Sequence, residues 1–260
     1  MNDKPDTQER RPNRDWEFAV RWLRRQPDKG KIVVDCYFDD PLQDVVQRYH
    51  ASEEWQAIKL LLKGFTGKAL DVGAGRGIAS YALAKEGFEV VALEPDPSSL
   101  VGADAIRGLV QDVGLSINVV QQFSERLPFP DPTFDVIFAR AVLHHTHDLS
   151  AACREFSRVL RPGGLMIAVR EHVISSKNDL PAFLEKHPLN HLYGGENELL
   201  LSDYLSAIKD AGFKIIKVLN PWETPINYYP YDIHSLQIAI ASRIRIKPKI
   251  FLLLMSLPGV

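Results

Sequence analysis

A glycine-rich loop between two apolar runs, within residues 69–94, constrains the fold of this chain more than any other feature. The loop reads Gly73-Ala74-Gly75-Arg76-Gly77. The first run ends at Asp71, and the second, Val90–Leu93, leads into Glu94. This order predicts strand, turn, helix and strand, with Glu94 able to accept hydrogen bonds from both hydroxyls of a ribose. Because glycine lets a ligand lie against the backbone, the pattern predicts a site for an adenosine-containing cofactor.

Asp71 distinguishes among such cofactors. Its carboxylate would lie beneath the phosphates of a dinucleotide, where like charges repel each other. A ligand that carries an ammonium and a sulfonium suits this position, which favours S-adenosylmethionine. A nicotinamide site would also usually have the spacing Gly-x-Gly-x-x-Gly, whereas this chain has Ile78 where the third glycine would stand.

Three further segments follow the loop along the chain. They are Glu125–Asp131 with the run Phe134–Phe138, the sequence Val142-Leu143-His144-His145, and the turn Val159–Gly164 ahead of another apolar run. Together with the glycine loop, these segments resemble the class I S-adenosylmethionine-dependent methyltransferases. The resemblance is to the methyltransferase type 11 branch, which includes quinone-biosynthesis enzymes, and it covers about residues 67–170.

The resemblance implies a set of contacts with S-adenosylmethionine. Asp71 would orient the methionine end, Glu94 would hold the ribose, and the loop glycines would admit the cofactor. The implied cofactor-binding residues are Asp71, Gly73, Ala74, Gly75, Gly77, Glu94, Pro95, Ser124, Glu125 and Arg140.

One position departs from the branch, which usually has an acid that binds the adenine amino group two residues before Glu125. This chain has Phe123 there. Phe123 is expected either to pack on the adenine face or to belong to the core, and Ser124 or Glu125 would then supply the polar contact.

The alternation of strand and helix patterns predicts an α/β fold. We expect a Rossmann-like, doubly wound, mainly parallel sheet of about seven strands, with N-terminal helices and an insertion after strand 5. The five core strands are expected at Lys68–Val72, Glu89–Leu93, Ser116–Gln121, Phe134–Ala139 and Leu165–Val169. Farther along, Phe213–Leu219 alternates like a strand, and the segment Ile233–Ile244 fits either a strand or a helix.

The chain is expected to divide into five regions. They are an N-terminal tail and helical cap (1–63), a cofactor-binding core (64–171), a substrate-side insertion (172–200), a closing helix with one or more strands (201–242) and a basic and apolar C-terminal tail (243–260).

Composition agrees with an ordinary globular enzyme. Of 260 residues, 45% are hydrophobic and 25% charged, and the net charge is −2. Lys and Arg are spread along the chain, which argues against a nucleic-acid substrate. The two cysteines, Cys36 and Cys153, lack metal-ligand spacing and indicate reduced thiols in a cytoplasmic protein. Because Met1–Arg14 has no apolar core, we expect neither a signal peptide nor a membrane span there.

Histidines are the candidate catalytic residues. At the end of the fourth strand we expect His145 to act as general base toward a hydroxyl, while His144 packs against the sheet. The insertion is expected to form a lid or to bind substrate, unless its histidines only satisfy local hydrogen bonds. It supplies the alternative catalytic groups His187, His191 and Tyr193. Since no HExxH or Cys/His spacing is present, no metal site is expected.

Two C-terminal segments leave their roles open. Pro221–Tyr231 is aromatic and proline-rich, and it either lines a pocket for a sugar or ring or crosses the surface as a strap. The tail combines basic residues with the apolar run Phe251–Met255, which is too short to span a bilayer. Packing on its own domain, peripheral contact with a membrane and contact with a protein all remain open for the tail.

The resemblance implies a methyltransferase in which the acceptor attacks the sulfonium methyl in line. We expect a small-molecule or saccharide-type acceptor with oxygen as nucleophile, and a lipid or quinone remains open because of the apolar tail. Two other classes remain. They are a non-catalytic member of the fold that binds the cofactor or a partner, and an NAD-dependent oxidoreductase.

Overall fold

Five parallel strands form the central sheet in the part of the chain that the structure describes. The structure is a computed structural model and describes residues 16–186, 189–193, 199–221, 223–243 and 247. The strands are β1 Lys68–Val72, β2 Glu89–Leu93, β3 Ile117–Val120, β4 Phe134–Arg140 and β5 Leu160–Val169, in the order β3-β2-β1-β4-β5. They confirm the five predicted core strands. Strand β5 begins earlier than predicted because Leu160 pairs with Phe134, ahead of a shift in register.

Helices precede, connect and follow these strands. They are α1 Trp16–Arg24, α2 Gly30–Asp35, α3 Leu42–Ala51, α4 Glu53–Leu61, α5 Ile78–Lys85, α6 Ala103–Val113, α7 Leu149–Val159, α8 Leu180–Lys186, α9 Asn190–Tyr193, α10 Leu201–Asp210, α11 Pro225–Tyr228 and α12 Ile233–Arg243. The helices α4 and α7 are each preceded by a residue whose side chain caps the helix by accepting a hydrogen bond from a backbone N–H of the first turn. Ser52 accepts from the backbone N–H of Trp55 at 3.1 Å, and Asp148 accepts from that of Ala151 at 2.9 Å.

The sheet is buried on both faces, as a parallel sheet requires. Successive residues of β1 point to opposite sides, so that Ala69 joins one core and Leu70 joins the other. The first core includes Trp55 from α4, and the second includes Phe156 from α7. All four of these residues have 0% relative exposure. The two-sided core explains why the strands are almost continuously apolar in sequence.

The prediction of about seven strands was wrong, because the described part of the main sheet contains five. Phe213–Leu219 pairs with no described strand, and Ile216 is 81% exposed there. Phe213 and Leu219 are partly buried against the cores, but Val218 is also exposed, at 43%, and without a described neighbouring strand the alternation does not produce a strand. The ambiguous segment after residue 232 forms the helix α12.

The insertion after β5 is folded against the N-terminal helices. It contains the short parallel strands β6 Val173–Ile174 and β7 Leu199–Leu200 as well as α8 and α9. Leu189 and Leu192 pack with Leu23 of α1, and the rings of Trp16 and Tyr193 meet edge to face at 4.8 Å. The insertion and the N-terminal cap therefore form one cover at the same end of the molecule.

Two predicted regions lie wholly or largely outside the described residues. They are the N-terminal tail up to residue 15 and the C-terminal tail, of which only residues 243 and 247 are described. Within the described chain, no helix combines the length and apolar character needed to cross a membrane.

Candidate functional site

A cleft runs along the carboxyl ends of β1, β2 and β4. The chain leaves β3 at one edge of the sheet and enters β4 on the far side of β1, which creates a switch point where ligands bind in this class of fold. The glycine loop, Glu94, the segment 122–125 and the histidine-bearing loop 141–146 all line this cleft. Residues far apart in sequence therefore meet at the predicted edge.

Most of the predicted cofactor-binding residues line the cleft. They are Asp71, Gly73, Ala74, Gly75, Glu94, Pro95, Ser124, Glu125 and Arg140. Gly77 lies outside this lining and instead begins α5 with a φ of +83°. A Cβ there would lie 3.2 Å from the side chain of Ile106, so this glycine permits close packing of α6 rather than close approach of a ligand.

The glycine loop leaves room for a ligand at Gly75. Its φ is +55°, and a Cβ built on it would meet only the carbonyl oxygen of Val101, at 3.8 Å. At Gly73, by contrast, a Cβ would lie 2.6 Å from Cγ2 of Val142, so that position must be glycine to let β4 and its loop approach. The open space above Gly75 fits an adenosine cofactor against the backbone.

Glu94 forms the wall of the same space. Its carboxylate accepts hydrogen bonds from the backbone N–H of Gly75 at 2.7 Å and from that of Asp96 at 2.9 Å. Burial raises the pKa of Glu94 to about 7, against the stabilising effect of these two bonds. A carboxylate accepts up to about four hydrogen bonds, so Glu94 retains capacity for the two hydroxyls of a ribose.

Asp71 lies beneath the loop and is 1% exposed. The Ser80 hydroxyl donates a hydrogen bond to it at 2.5 Å. Burial and, to a smaller extent, the charge of Glu94 raise the pKa of Asp71 to about 7. A cationic ligand would stabilise the ionised form of this acid, whereas a phosphate would oppose it, so the site fits the methionine end of S-adenosylmethionine.

Arg76 ties the glycine loop to the N-terminal cap. Its guanidinium donates hydrogen bonds to the carbonyl oxygens of Tyr37 at 2.9 Å and Asp39 at 2.7 Å, and it pairs with the Asp40 carboxylate. The turn before α3 is thereby held over the loop. These contacts make the cap a structural part of the cleft.

Phe123 is 53% exposed, which excludes its predicted alternative as a core residue. Its ring meets that of His147 at 5.5 Å beside the cleft, so packing on adenine stays a prediction. Glu125 directs Oε1 to the backbone N–H groups of His147 at 2.8 Å and Asp148 at 3.4 Å. The carboxylate of Glu125 thus already holds the loop before α7.

Glu171, which is not among the predicted site residues, positions the histidine-bearing loop. Its carboxylate accepts hydrogen bonds from the backbone N–H groups of Val142 at 3.1 Å and His144 at 3.2 Å, and from Nδ1 of His144 at 2.7 Å. Ala141 directly precedes Val142, and Arg170 directly precedes Glu171. Both have left-handed φ values, +56° for Ala141 and +61° for Arg170. Such conformations in non-glycine residues cluster at functional sites.

The histidine predicted as general base is exposed to the cleft. His145 stands in a short 3₁₀ turn, Leu143–His145, and its ring contacts the His144 ring at a centroid distance of 4.2 Å. His144 is 1% exposed, as expected, and its ring stacks on His172 at 4.1 Å. The fixed imidazole of His144 therefore supports the orientation of His145.

Replacing Glu171 with glutamine is expected to raise the amide exchange rates of Val142 and His144 by about tenfold. The amide group accepts hydrogen bonds more weakly than a carboxylate, and a tenfold change corresponds to about 1.4 kcal/mol. Hydrogen exchange resolved by residue measures the effect. Glu125→Gln is the matched control, because its carboxylate holds the amides of residues 147 and 148. Unchanged exchange at Val142 in Glu171→Gln would contradict the positioning role.

The alternative catalytic groups of the insertion are only partly described. Tyr193 lines the cleft and packs on Trp16. His187 lies outside the described residues, and His191 belongs to α9 while its side chain is outside the description. These three residues remain predictions as catalytic groups. In the described ranges, no group of three or more His, Cys, Asp or Glu residues is arranged to hold a metal ion.

A second missed feature is the ion pair between Arg140 and Glu54. Glu54 is 0% exposed in α4, and its carboxylate receives Nε of Arg140 at 2.6 Å and Nη2 at 3.1 Å. Burial favours the neutral form of Arg140, but Glu54 outweighs it and keeps the pKa of the guanidinium above its usual range. No local pattern in sequence signals this pair, whereas the acid at Glu171 comes two residues after a strand and could have been noticed.

Comparison with known proteins agrees with this geometry. Residues 70–168 match the family described as a methyltransferase domain. The uncharacterized methyltransferase YcgJ of Bacillus subtilis is 30% identical over 171 residues, which cover 62% of each chain. Its crystal structure has a TM-score of 0.50 and 26% identity to this chain, covering 60% of this chain and 67% of that one.

Two relatives carry names from quinone metabolism. The ubiquinone biosynthesis O-methyltransferase of Methylocella silvestris is 31% identical over 49% of this chain and 49% of its own. The 2-methyl-6-phytyl-1,4-hydroquinone methyltransferase of Synechocystis sp. is 32% identical over 52% of this chain and 43% of its own. The chain thus spans less than two thirds of the length of these curated relatives. Residues 70–168 of this chain therefore form a methyltransferase domain that is similar to those of class I S-adenosylmethionine-dependent methyltransferases.

Proposed function

We propose that this chain transfers a methyl group from S-adenosylmethionine to an oxygen of a small-molecule acceptor. The observation that carries the proposal is the joint geometry of Gly75 and Glu94. The loop backbone is open to a ligand at Gly75, and the backbone N–H of Gly75 donates a hydrogen bond at 2.7 Å to the buried carboxylate of Glu94. The adenosine part of a cofactor, with its ribose beside Glu94, fits the space between these two residues, as in other folds of this type.

The bound cofactor supplies an activated methyl group on a sulfonium. Asp71 holds the methionine end by charge, Glu94 fixes the ribose through its carboxylate, and the loop backbone sets the depth of binding. The N-terminal cap and the insertion cover the cleft and limit the access of water to it. Rate enhancement then comes mainly from alignment of the acceptor oxygen with the methyl group.

His145 takes the proton of the acceptor hydroxyl in this proposal. Its ring is exposed to the cleft, and the His144 ring behind it is held by Glu171 at 2.7 Å. An imidazole titrates close to neutral pH and suits general-base catalysis there. His187, His191 and Tyr193 are the alternative groups.

The acceptor proposed here carries a ring or sugar hydroxyl. Aromatic side chains line the cleft from the cap and from the segment after β3, namely Trp16, Tyr37, Phe38 and Phe123. Such walls favour flat or ring-shaped ligands. The names of the quinone-related relatives support an aromatic hydroxyl, and the same walls would also accept a saccharide.

Isothermal titration calorimetry tests the cofactor assignment. We expect S-adenosylmethionine and S-adenosylhomocysteine to bind, NADH not to bind, and Glu94→Ala to weaken both sulfur ligands by at least about tenfold, or about 1.4 kcal/mol. Glu89→Ala is the matched control, because Glu89 begins the same strand with an exposed side chain paired to Lys68.

Each rival class gives a different result in this experiment. Binding of NADH alone would overturn the proposal in favour of an oxidoreductase. Cofactor binding without methyl transfer to any phenol, quinol or saccharide offered would identify a non-catalytic member of the fold.

A further inference from the structure

A buried cluster of charge lies where β4 and β5 end. Arg140 is the last residue of β4, Arg170 directly follows β5, and Glu54 comes from α4. Beyond its pair with Arg140, the Glu54 carboxylate lies 3.5 Å from Nη1 of Arg170. Both arginines line the cleft, together with Cys36. One carboxylate therefore stands between two guanidiniums at the wall of the candidate site.

Several donors of this cluster face open space. Nη1 of Arg140 and Nε and Nη2 of Arg170 make no hydrogen bond to any residue within the described ranges. None of these three atoms is among the buried atoms that lack a partner, so they reach solvent through the cleft. The two side chains are 17% and 25% exposed, which allows a ligand to contact them.

The cluster has one positive charge in excess. Glu54 neutralises Arg140, which leaves the charge of Arg170. The other acids of this region are already engaged. Asp35 of α2 is paired with Lys31 at 2.6 Å, and Glu171 binds the histidine loop. Asp71, which interacts with the charge of Arg140, lies beneath the glycine loop, where burial raises its pKa to about 7. A ligand with a single negative charge would balance the cluster, whereas a phosphate dianion would leave one charge unpaired.

Arg170 is held in one orientation. Its φ is +61°, and its Nη1 donates hydrogen bonds to the carbonyl oxygens of Ile226 at 3.2 Å and Tyr229 at 2.8 Å. The remaining edge of the guanidinium, Nε and Nη2, is the edge that binds a carboxylate through two parallel hydrogen bonds. Strand β4 separates Arg170 from the glycine loop on β1, so it lies on the acceptor side of the cleft.

We propose that Arg170, beside the Arg140–Glu54 pair, binds a carboxylate of the methyl acceptor. The acceptor is then a small acid that carries its nucleophilic hydroxyl at the other end, toward His145. This inference rests on the proposed methyl transfer, and its first test does not depend on that activity.

Cys36 offers a direct probe of the charge in this part of the cleft. The chain contains two cysteines, of which Cys153 is 0% exposed and Cys36 is exposed to the cleft. Iodoacetate and iodoacetamide alkylate the same thiolate, but iodoacetate carries a negative charge and iodoacetamide is neutral. The ratio of their rates therefore reports attraction of a carboxylate to the site, and the thiolate fraction cancels.

We expect the iodoacetate to iodoacetamide ratio at Cys36 to fall by at least about fivefold in Arg170→Gln. Arg170→Lys, which keeps the charge, should retain most of the ratio. Arg107→Gln is the control, because Arg107 is 42% exposed on α6 and pairs with Asp104. In the wild-type protein the ratio should fall as NaCl is raised. Thermal unfolding curves should show that the wild-type protein and Arg170→Gln are both folded. An equal iodoacetate to iodoacetamide ratio in the two folded proteins would overturn the proposal.

A second measurement separates the acceptor from the cofactor. In protein saturated with S-adenosylhomocysteine, benzoate should protect Cys36 from iodoacetamide at least about fivefold better than benzamide, and Arg170→Gln should abolish the difference. Equal protection by the two ligands would overturn the proposal. If Arg170→Gln instead weakens S-adenosylhomocysteine but not 5′-methylthioadenosine, the guanidinium holds the methionine carboxylate and the acceptor assignment is wrong. Failure of the wild-type protein to bind S-adenosylhomocysteine would count against the methyltransferase proposal alone.

Discussion

Replacing Arg140 with alanine is expected to lower the free energy of unfolding by about 3 kcal/mol. The variant would leave the carboxylate of Glu54, which is 0% exposed, without its two short hydrogen bonds. Arg170, at 3.5 Å, would compensate only in part. The rings of Tyr37 and Tyr49, each about 5.5 Å from the guanidinium carbon, would also lose a cation contact. Chemical denaturation measured at pH 7 gives the free energy of unfolding.

Two matched variants show whether the loss comes from the buried pair. Arg107→Ala removes an exposed ion pair with Asp104 and should cost less than about 1 kcal/mol. The double variant Glu54→Gln with Arg140→Gln should be more stable than the sum of the two single variants implies, because no charge is left buried alone. A cost for Arg140→Ala no larger than that for Arg107→Ala would show that the pair is solvated.

Affinity for S-adenosylhomocysteine is expected to rise by about tenfold between pH 6 and pH 8 for each acid that the ligand requires in its ionised form. The pKa of Glu94 and the pKa of Asp71 are both about 7, mainly because of burial. Below that pH the free protein holds both acids protonated, and binding must remove those protons. Calorimetry across this range measures the slope.

Variants divide the pH dependence between the two acids. Glu94→Gln should bind S-adenosylhomocysteine weakly. Its affinity should also lose the part of the pH dependence that comes from ionisation of Glu94 at the ribose contact. 5′-Methylthioadenosine has no amino-acid end, so its binding should lack the part that belongs to Asp71. A slope that is unchanged in Glu94→Gln would show that Glu94 is already ionised in the free protein.

Stability of the ligand-free protein should change in the opposite direction. Both acids have a pKa raised above the unfolded value, so they bind more protons when folded. Their contribution to stability is fully present below about pH 4 and is lost as the pH rises through about 7. The melting temperature should therefore fall with rising pH across this window, and Asp71→Asn should reduce the fall.

The core strands were predictable because their signals are local. In β1 and β2 the apolar run and the bounding charged residue place both ends correctly, and the glycines mark the turn between them. The segment Phe213–Leu219 has the same local alternation but lacks a neighbouring strand among the described residues, so the prediction failed. A strand needs a partner, and the identity of a partner is not a local property.

The candidate site divides in the same way. Asp71, Gly75 and Glu94 were identified from sequence because backbone conformation and ligand chemistry restrict the residue types along a short segment. Glu54 and Arg140, by contrast, are 86 positions apart, and their pairing depends on how α4 packs over the end of β4.

From the sequence we could predict the positions of the five core strands and the candidate cofactor-binding residues, because short-range periodicity and glycine geometry are local properties. Packing of the chain was needed to show that Glu171 holds the histidine loop and that Arg170 has a free edge in the cleft. A hydrogen bond or ion pair between distant segments forms only when its atoms are placed to within a few tenths of an ångström. Packing of the whole chain sets such distances, and no pattern within one segment does.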